Sequence, residues 1–515
     1  VQIVDNKALV FEYSQPTLIT DNLSNSARVG SNKVAVKWGL REAQALVTYG
    51  VPDVPSPILR DYTWTGKLTP FEHQKTTASF LTLHKRAFCF NEQGTGKTAS
   101  VIWAADYLMK RGEVSRVLVL CPLSIMKSAW QQDLFKFAMH RSCGIAHGAA
   151  KQRSAVINAG AEFVVVNFDG LAIVKDDVIA GGFDLIVVDE ASAYKTATTN
   201  RWKVLNEILK VTDPRLWMLT GTPAAQSPLD AFGLAKLVNP ERAPKYYSHF
   251  RAETMYQVTK FKWTPKPDAP AYVHNVLQPA IRFEKKDCLD LPEVTHVERE
   301  APLTPQQSKY YKTLKNELLI EAAGEEVSAV NAATKLNKLL QISGGAVYSD
   351  TGEVVEFDVS NRLNAVLEVI EEASHKVLVF VPFTHTIELL RARLEKEGIS
   401  VGVINGSVSV NKRSELVEQF QTAKNPHVLV IQPQAASHGL TLTAADTIIW
   451  YAPVTSVETY LQANARINRP GQKNAMTIVH ITGSEVEARL YTMLRTNIGN
   501  HERVIDLYRE MLNTT

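Results

Sequence analysis

Asn91 to Thr98 reads NEQGTGKT, between an apolar run, RAFCF, and a helix-period stretch that opens at its lysine. A chain of phosphates needs converging backbone N–H groups, the positive end of a helix, a lysine charge and a hydroxyl that can hold a divalent cation. Gln93, Gly94, Thr95, Gly96, Lys97 and Thr98 supply that set, although the usual glycine at the head of such a loop is here Asn91. Further on, FDLIVVDEAS closes an apolar strand with Asp189 and Glu190. At a strand's carboxyl end the first acid can hold Mg²⁺ together with Thr98, and the second can orient and deprotonate an attacking water. Alone, the acid pair would equally suit a solvated turn; downstream of GTGKT it is far more specific.

RLWMLT then runs into Gly221, so Thr220, Gly221 and Thr222 stand at the rim of the same sheet and could couple the metal site to a neighbouring lobe. A turn before SPLDAFGLAKLV, capped by Ser227, is equally compatible. Gln74 in TPFEHQ has an amide that could read adenine. The expected ligands are therefore ATP and Mg²⁺. Near the C-terminus, QANARINRPGQ sets Gln462, Arg466 and Arg469 at spacings that share one helical face. An arginine offered to a γ-phosphate neutralises transition-state charge, worth roughly 10³ to 10⁵ in rate. Without an upstream phosphate loop, two arginines on an amphipathic surface helix would be the better reading.

These groups need rigid elements to position them. The runs RAFCF, RVLVLC, EFVVVNF, FDLIVVDE and RLWMLT alternate with helical stretches such as TASVIWAADYLMKRG, and a second set comprises KVLVFV, ISVGVI, HVLVIQ, DTIIWYA and MTIVHI. Such alternation predicts an α/β fold with two lobes, each a mainly parallel sheet with helices on both faces. The opening residues, with VQIV and LVFEY around a DNK turn, KVAVKW and the helix-like LREAQALVTYG, predict a small N-terminal α+β module over 1–66. The proline-bearing VPDVPSPILRDYTWTG reads as a linker. Expected boundaries are 67–285 for the first lobe, 286–358 for a mostly helical connection and 359–515 for the second lobe.

With 515 residues, 45% hydrophobic and 21% charged, the chain can bury more than one core. A formal charge of +3 is too mild to identify a nucleic-acid partner by itself. Four scattered cysteines form no CxxC pair and offer no structural zinc site. No apolar run long enough to span a bilayer and no signal-peptide pattern is present, so the expectation is a soluble, non-exported protein with no membrane partner.

Gln74, GTGKT, CPLSIMKSAW, DEAS, LTGTP, VLVFVPF, SHGLTL and QANARINRPGQ occur in the order of the motifs of superfamily two helicases, across residues 68 to 480. LDLPEVTHV after RFEKKDC, with the closing RxxRxGQ, resembles the Swi/Snf-type branch. The resemblance implies two RecA-like lobes that close on ATP, with Arg466 and Arg469 reaching the phosphate bound by Lys97. It also implies 3′-to-5′ tracking on duplex or branched DNA, without sequence preference, by contacts to the phosphate backbone. Candidate contacts are Ser124, Lys127, Asn167, Thr384, Asn405, Gly406, Ser437, Gly439 and Thr441. The chain departs from the branch at Thr455, Ser456 and Val457, where Trp-Asn-Pro is usual, and at Thr441, where asparagine is usual. It shows no histone-reading appendage. The layout is similar to HARP-type annealing helicases and to phage and bacterial Swi/Snf-like helicases, which implies a cytoplasmic monomer. Residues 1–66 would serve fork or junction recognition, or simply extend the packing of the first lobe. An ATP-gated clamp that separates no strands is the alternative function.

Overall fold

The computed structural model describes all residues except 67, 222–223, 225–226, 260–262, 325–328, 349–353, 437–439 and 497–515. Its contacts divide the chain into two compact units, Val1–Ala224 with Pro228–Cys288, and Ala225–Ser227 with Leu289–Thr515.

Among the described residues, the first unit holds a seven-stranded sheet in the order Ala280–Ile281, Arg86–Cys89, Arg215–Leu219, Leu185–Asp189, Val117–Cys121, Phe163–Asn167 and Cys143–Ala146. Every pairing in it is parallel. Alternate residues of each strand feed different cores. Val117, Val119 and Cys121 join one apolar cluster with Trp103 and Trp130, while Leu118 and Leu120 join another with Tyr194 and Phe232. A strand buried on both faces has no polar positions to spare, which is why these runs read as continuously apolar. All five strands expected in this region form. Cys143–Ala146 and the two-residue Ala280–Ile281 extend the sheet at its two edges.

The second unit repeats the design with a six-stranded parallel sheet. Its order is Val294–Glu300, Met476–Thr482, Ala445–Trp450, Lys376–Phe380, Val428–Ile431 and Val401–Ile404. Leu378 and Phe380 pack on one face, Val377 and Val379 on the other. Val294–Glu300 lies in the stretch expected to be a mostly helical connection; it is instead an edge strand paired with Met476–Thr482. Helices Pro305–Gly324 and Ala329–Gly344 follow it. A buried, bidentate ion pair from Arg362 to Glu487, at 2.7 and 2.8 Å, ties helix Ser360–Glu372 to helix Glu485–Arg495.

The N-terminal residues form a four-stranded antiparallel sheet, Gln2–Val4, Ala8–Glu12, Lys33–Lys37 and Ser26–Arg28, with helix Leu40–Thr48. Leu9, Val34, Val36 and Leu46 are buried in the same cluster as Ala78, Leu81 and Trp103 of the first lobe. The stretch read as a linker is corrected. Val51, Val54, Ile58 and Tyr62 are buried, and Trp103 donates its indole N–H to the Thr65 carbonyl at 2.9 Å. Prolines remove backbone donors, which silences any periodic signal, but they do not prevent burial.

Asp106, fully buried in helix Lys97–Lys110, anchors this strap: it accepts from the Tyr62 hydroxyl at 2.6 Å and from Arg141 Nε at 2.7 Å, and pairs with Lys110 at 3.0 Å and His140 at 2.8 Å. Burial raises its carboxyl, yet the hydrogen bonds from Tyr62, Lys110, Arg141 and His140 outweigh that and hold it down at about 2. Because the folded value lies below the unfolded one, this stabilisation is complete above about pH 4 and is lost as the pH falls toward 2. Asp106→Asn is therefore expected to cost roughly 3 kcal/mol at neutral pH. In urea denaturation, the gap between wild type and variant should narrow below pH 4.

Candidate active site

Asn91 to Thr98 connects the carboxyl end of Arg86–Cys89 to helix Lys97–Lys110. The loop turns through Gly94 and Gly96, with φ of +87° and +79°, a region other residues enter only with strain. A Cβ at Gly96 would also collide with the amide nitrogen of Gln74. Asn91 has a structural account. Its side chain is buried, donating to Thr77 Oγ1 at 2.8 Å and accepting from the Phe283 backbone N–H at 3.0 Å. It fastens the loop to helix Glu72–Leu83 on one side and to the chain after Ala280–Ile281 on the other. Gln74 braces the loop from below: its carbonyl accepts from Phe71 N–H at 3.0 Å and its NH₂ lies 3.3 Å from the Thr95 carbonyl, with His73 Nε2 2.8 Å from that same oxygen.

Lys97 Nζ donates to the carbonyls of Asn91 at 2.8 Å and Glu92 at 3.2 Å. Gln93 Nε2 is buried with no hydrogen-bond partner, and the Gln93 side chain lies directly against Gly221. A buried donor without a partner is costly unless a ligand supplies the acceptor. That donor, the lysine and the start of a fourteen-residue helix fit a phosphate chain. Thr98 is the second residue of the helix and half-buried.

Asp189 and Glu190 close Leu185–Asp189, two strands along from the loop. Asp189 is buried, and its Oδ2 accepts the indole N–H of Trp130 at 2.9 Å. Burial raises its carboxyl, opposed by the charge of Lys97, the Trp130 hydrogen bond and the Glu190 backbone amide. A buried carboxylate within reach of a lysine's charge fits a hard divalent cation, which Thr98 and Asp189 would hold. Among the described residues no cluster of three or more His, Cys, Asp or Glu side chains could hold a metal unaided. Glu190 has a left-handed backbone, φ +60°, at the head of the short 3₁₀ turn Ala191–Tyr194. Just past the end of the intervening strand Arg215–Leu219, Thr220 is buried and its N–H donates to the Cys89 carbonyl at 3.1 Å. Thr222 lies outside the described residues. The structure thus brings Gln74, the loop, Asp189, Glu190, Thr220 and Gly221 to one end of one sheet.

In the second unit the expected helical face is corrected. Helix Val457–Asn464 ends before Arg466 and Arg469, which occupy the following turns as the chain approaches Pro470. Gln462, inside the helix, is buried. Arg466 Nε donates to the Gln462 carbonyl at 2.9 Å and Nη1 to that of Leu440 at 3.2 Å; Arg469 Nη1 donates to the Leu440 carbonyl at 3.1 Å and to Thr441 Oγ1 at 2.7 Å. Gln472, not singled out from sequence, holds these turns together by donating to the Ala445 carbonyl at 2.8 Å and accepting from the backbone of Lys473 and Asn474.

The candidate phosphate-backbone contacts follow other strands of the same sheets. Lys127 is exposed on the π-helical turn Met126–Gln131 after Val117–Cys121. Ser124 lies in the 3₁₀ turn Leu123–Ile125. Asn167 ends Phe163–Asn167, and its side-chain oxygen accepts from the buried Arg153 at 2.7 Å. Arg153 gave no sequence signal, since one arginine in AKQRSAVIN resembles any surface helix residue. In the second unit, Thr384 is exposed at the start of helix Thr384–Lys396. Asn405 follows Val401–Ile404 and accepts from Ser407 Oγ at 2.7 Å, while the Gly406 N–H donates to Gln432 at 3.2 Å. Thr441 is exposed, and Ser437 and Gly439 lie outside the described residues.

A glycine-turned phosphate loop and an Asp-Glu strand end, on a parallel sheet, define a P-loop α/β fold. Residues 55–344 match the SNF2-related domain and residues 361–471 the helicase conserved C-terminal domain. The first match alone spans more than half the chain, which belongs to the SNF2-related family of ATP-dependent helicases. It is 25% identical over 476 residues to the mouse chromodomain-helicase-DNA-binding protein 1-like, covering 88% of this chain and 52% of that protein. It is 26% identical over 399 residues to the uncharacterized ATP-dependent helicase MG018 of Mycoplasma genitalium, covering 76% and 37%. The chain thus spans about half or less of the length of these two relatives. It is also 26% identical over 428 residues to protein p41 of Acyrthosiphon pisum secondary endosymbiont phage 1, covering 79% and 90%. The Sulfolobus solfataricus SWI2/SNF2 ATPase core, solved in complex with dsDNA, aligns with a TM-score of 0.42 and 22% identity, over 87% of this chain and 97% of that one.

Replacing Asn91 by Ala should leave Thr77 Oγ1 and the Phe283 N–H without their partner, at about 1–3 kcal/mol. Thermal melting should fall and ATP affinity should weaken together.

Proposed function

We propose that the chain is an ATP-driven motor that moves on duplex or branched DNA without reading its sequence. The observation that carries the reading is the pairing of an orphaned, buried Gln93 donor and Lys97 in a glycine-turned loop with the buried Asp189 on the same sheet. Family membership supplies the DNA, and duplex as the track belongs to the proposal.

On this reading, backbone amides of the loop and Lys97 bind the β- and γ-phosphates, and Gln93 gains its missing acceptor. Thr98 and Asp189 would hold Mg²⁺, which would withdraw charge from the phosphates. Glu190 orients the attacking water and takes its proton. Gln74, already bracing the loop, faces the adenine side. Arg466 and Arg469 neutralise charge on the transferred phosphate, positioned by their bonds to Leu440 and Thr441 and by neighbouring Gln462. Thr220, Gly221 and Thr222 couple that site to the second lobe. Lys127, Asn167, Thr384, Asn405, Gly406 and Thr441, with Ser124, Ser437 and Gly439, contact phosphate oxygens, which gives affinity without sequence information. No described helix is long and apolar enough to cross a membrane. A monomer working in the cytoplasm of a bacterium or phage-infected cell, as residues 1–66 engage a fork or junction, completes the proposal.

Lys97→Ala should abolish ATP hydrolysis, whereas Glu190→Gln should retain ATP binding and lose turnover. Arg466→Ala and Arg469→Ala should keep most nucleotide affinity while lowering turnover, by up to roughly 10³-fold. ATPase assays with and without duplex DNA, beside fluorescent-nucleotide titrations, check all four. Hydrolysis unaffected by saturating DNA, or a Glu190→Gln enzyme at full speed, would contradict the proposal.

A further inference from the structure

Trp130 sits where two parts of the first unit meet. Its ring is buried, and its indole N–H donates to Asp189 Oδ2 at 2.9 Å. It belongs to the six-residue π-helical turn Met126–Gln131, which also carries the exposed Lys127. The Gln132 N–H reaches back to the Lys127 carbonyl, so the residue offered to a DNA phosphate also takes part in the hydrogen bonding that defines the turn. The turn packs beside strands Cys143–Ala146 and Phe163–Asn167, the second of which ends in another candidate phosphate contact, Asn167.

A π-turn holds one residue more than an α-turn, is uncommon, and recurs at functional sites. Relaxing it to α geometry shifts the register by one residue, about 100° around the axis. A side chain at its end cannot keep a 2.9 Å bond to a fixed strand terminus through such a change.

From this juxtaposition we propose that Trp130 is a positioning residue acting as a brake: without DNA its indole holds Asp189 Oδ2, and phosphate engagement at Lys127 draws the turn outward and releases it. Asp189 Oδ2 is then available to the metal's ligand shell. The inference rests on the DNA-motor reading above and adds the route by which DNA occupancy reaches the nucleotide site within one unit. It requires no contact from the second unit.

The test uses the full chain with ¹⁵N-labelled tryptophan. The indole resonance of Trp130 is assigned by its loss in Trp130→Phe, and a blunt duplex is then added without nucleotide. The resonance should shift in the wild type and stay in place in Lys127→Gln. Trp130→Phe, which keeps the ring and removes the donor, should raise DNA-free ATP turnover toward the DNA-stimulated rate, so that the stimulation ratio falls toward one. Duplex affinity should be unchanged. An indole resonance unmoved by saturating duplex overturns the brake, as does a Trp130→Phe enzyme slowed equally with and without DNA, which is what a purely structural tryptophan would give. If Trp130→Phe fails to fold, the comparison of wild type with Lys127→Gln decides, the resonance being assigned by Trp130→Tyr. A wild type that duplex does not stimulate overturns the motor reading as well, whereas normal stimulation retained in Trp130→Phe overturns this inference alone.

Discussion

A lysine ammonium resting on the carbonyls of its own loop, within electrostatic reach of a carboxylate cut off from water, organises the first unit. Neither charge is cheap in such surroundings. Lys97 takes two backbone oxygens in place of solvent, and Asp189 takes an indole hydrogen bond and a backbone amide. Low local polarity strengthens each of these contacts and would strengthen a phosphate's grip on the same lysine. The loop must therefore be held open before any ligand arrives, and that is the work of Asn91, Gln74 and His73, each spending its polar atoms on the loop or on the elements beside it.

Strand order explains how one sheet edge can serve two tasks. In the first unit the nucleotide residues follow Arg86–Cys89, Arg215–Leu219 and Leu185–Asp189, which are neighbours, while the candidate DNA residues follow Val117–Cys121 and Phe163–Asn167 farther along. Parallel strands point all carboxyl ends the same way, so both groups share an edge yet occupy different halves of it. The second unit divides differently: Thr384 and Asn405 follow the carboxyl ends of their strands, whereas the arginine turns bond to Leu442 and Ala445 at the start of Ala445–Trp450 and lead into the start of Met476–Thr482. The arginine turns lie between Ala445–Trp450 and Met476–Thr482, and the candidate DNA residues lie after Lys376–Phe380, Val401–Ile404 and Val428–Ile431.

What could be read from sequence follows from burial. Nine central strands were legible because both of their faces are apolar, as in LIVVD and VLVLC, and the edge strand Val401–Ile404 because VGVI has no polar residue. The other edges escaped: Cys143–Ala146 is short and contains glycine, Ala280–Ile281 has two residues, and VTHVERE is half polar, with Val294 and Val297 as its apolar contacts to the cores. The strap at 51–66 was misread because apolar residues spaced by prolines have no period. Candidate site residues with an expected chemical role, such as Lys97 and the Asp-Glu pair, are picked out by motif order. Their supports are not, since Arg153, Gln472 and the buried side of Asn91 act through contacts distant in the chain.

Glu190 shows the same economy at the level of backbone. A left-handed conformation at a residue with a long side chain costs on the order of 1–3 kcal/mol, and it persists only where neighbours over-determine it. Before it, Asp189 is fixed by Trp130 and by parallel pairing with Leu219. After it, Ala191 and Tyr194 are buried, with Tyr194 set edge-on against Phe168 at 5.5 Å. Helix Ala231–Val238 closes on the Lys195 carbonyl so tightly that only glycine fits at position 233. The strand can therefore end abruptly at Asp189 and present the next carboxylate from a sharp turn. Two adjacent acids in a continuing strand would point to opposite faces, and the left-handed residue between strand and turn is what removes that constraint.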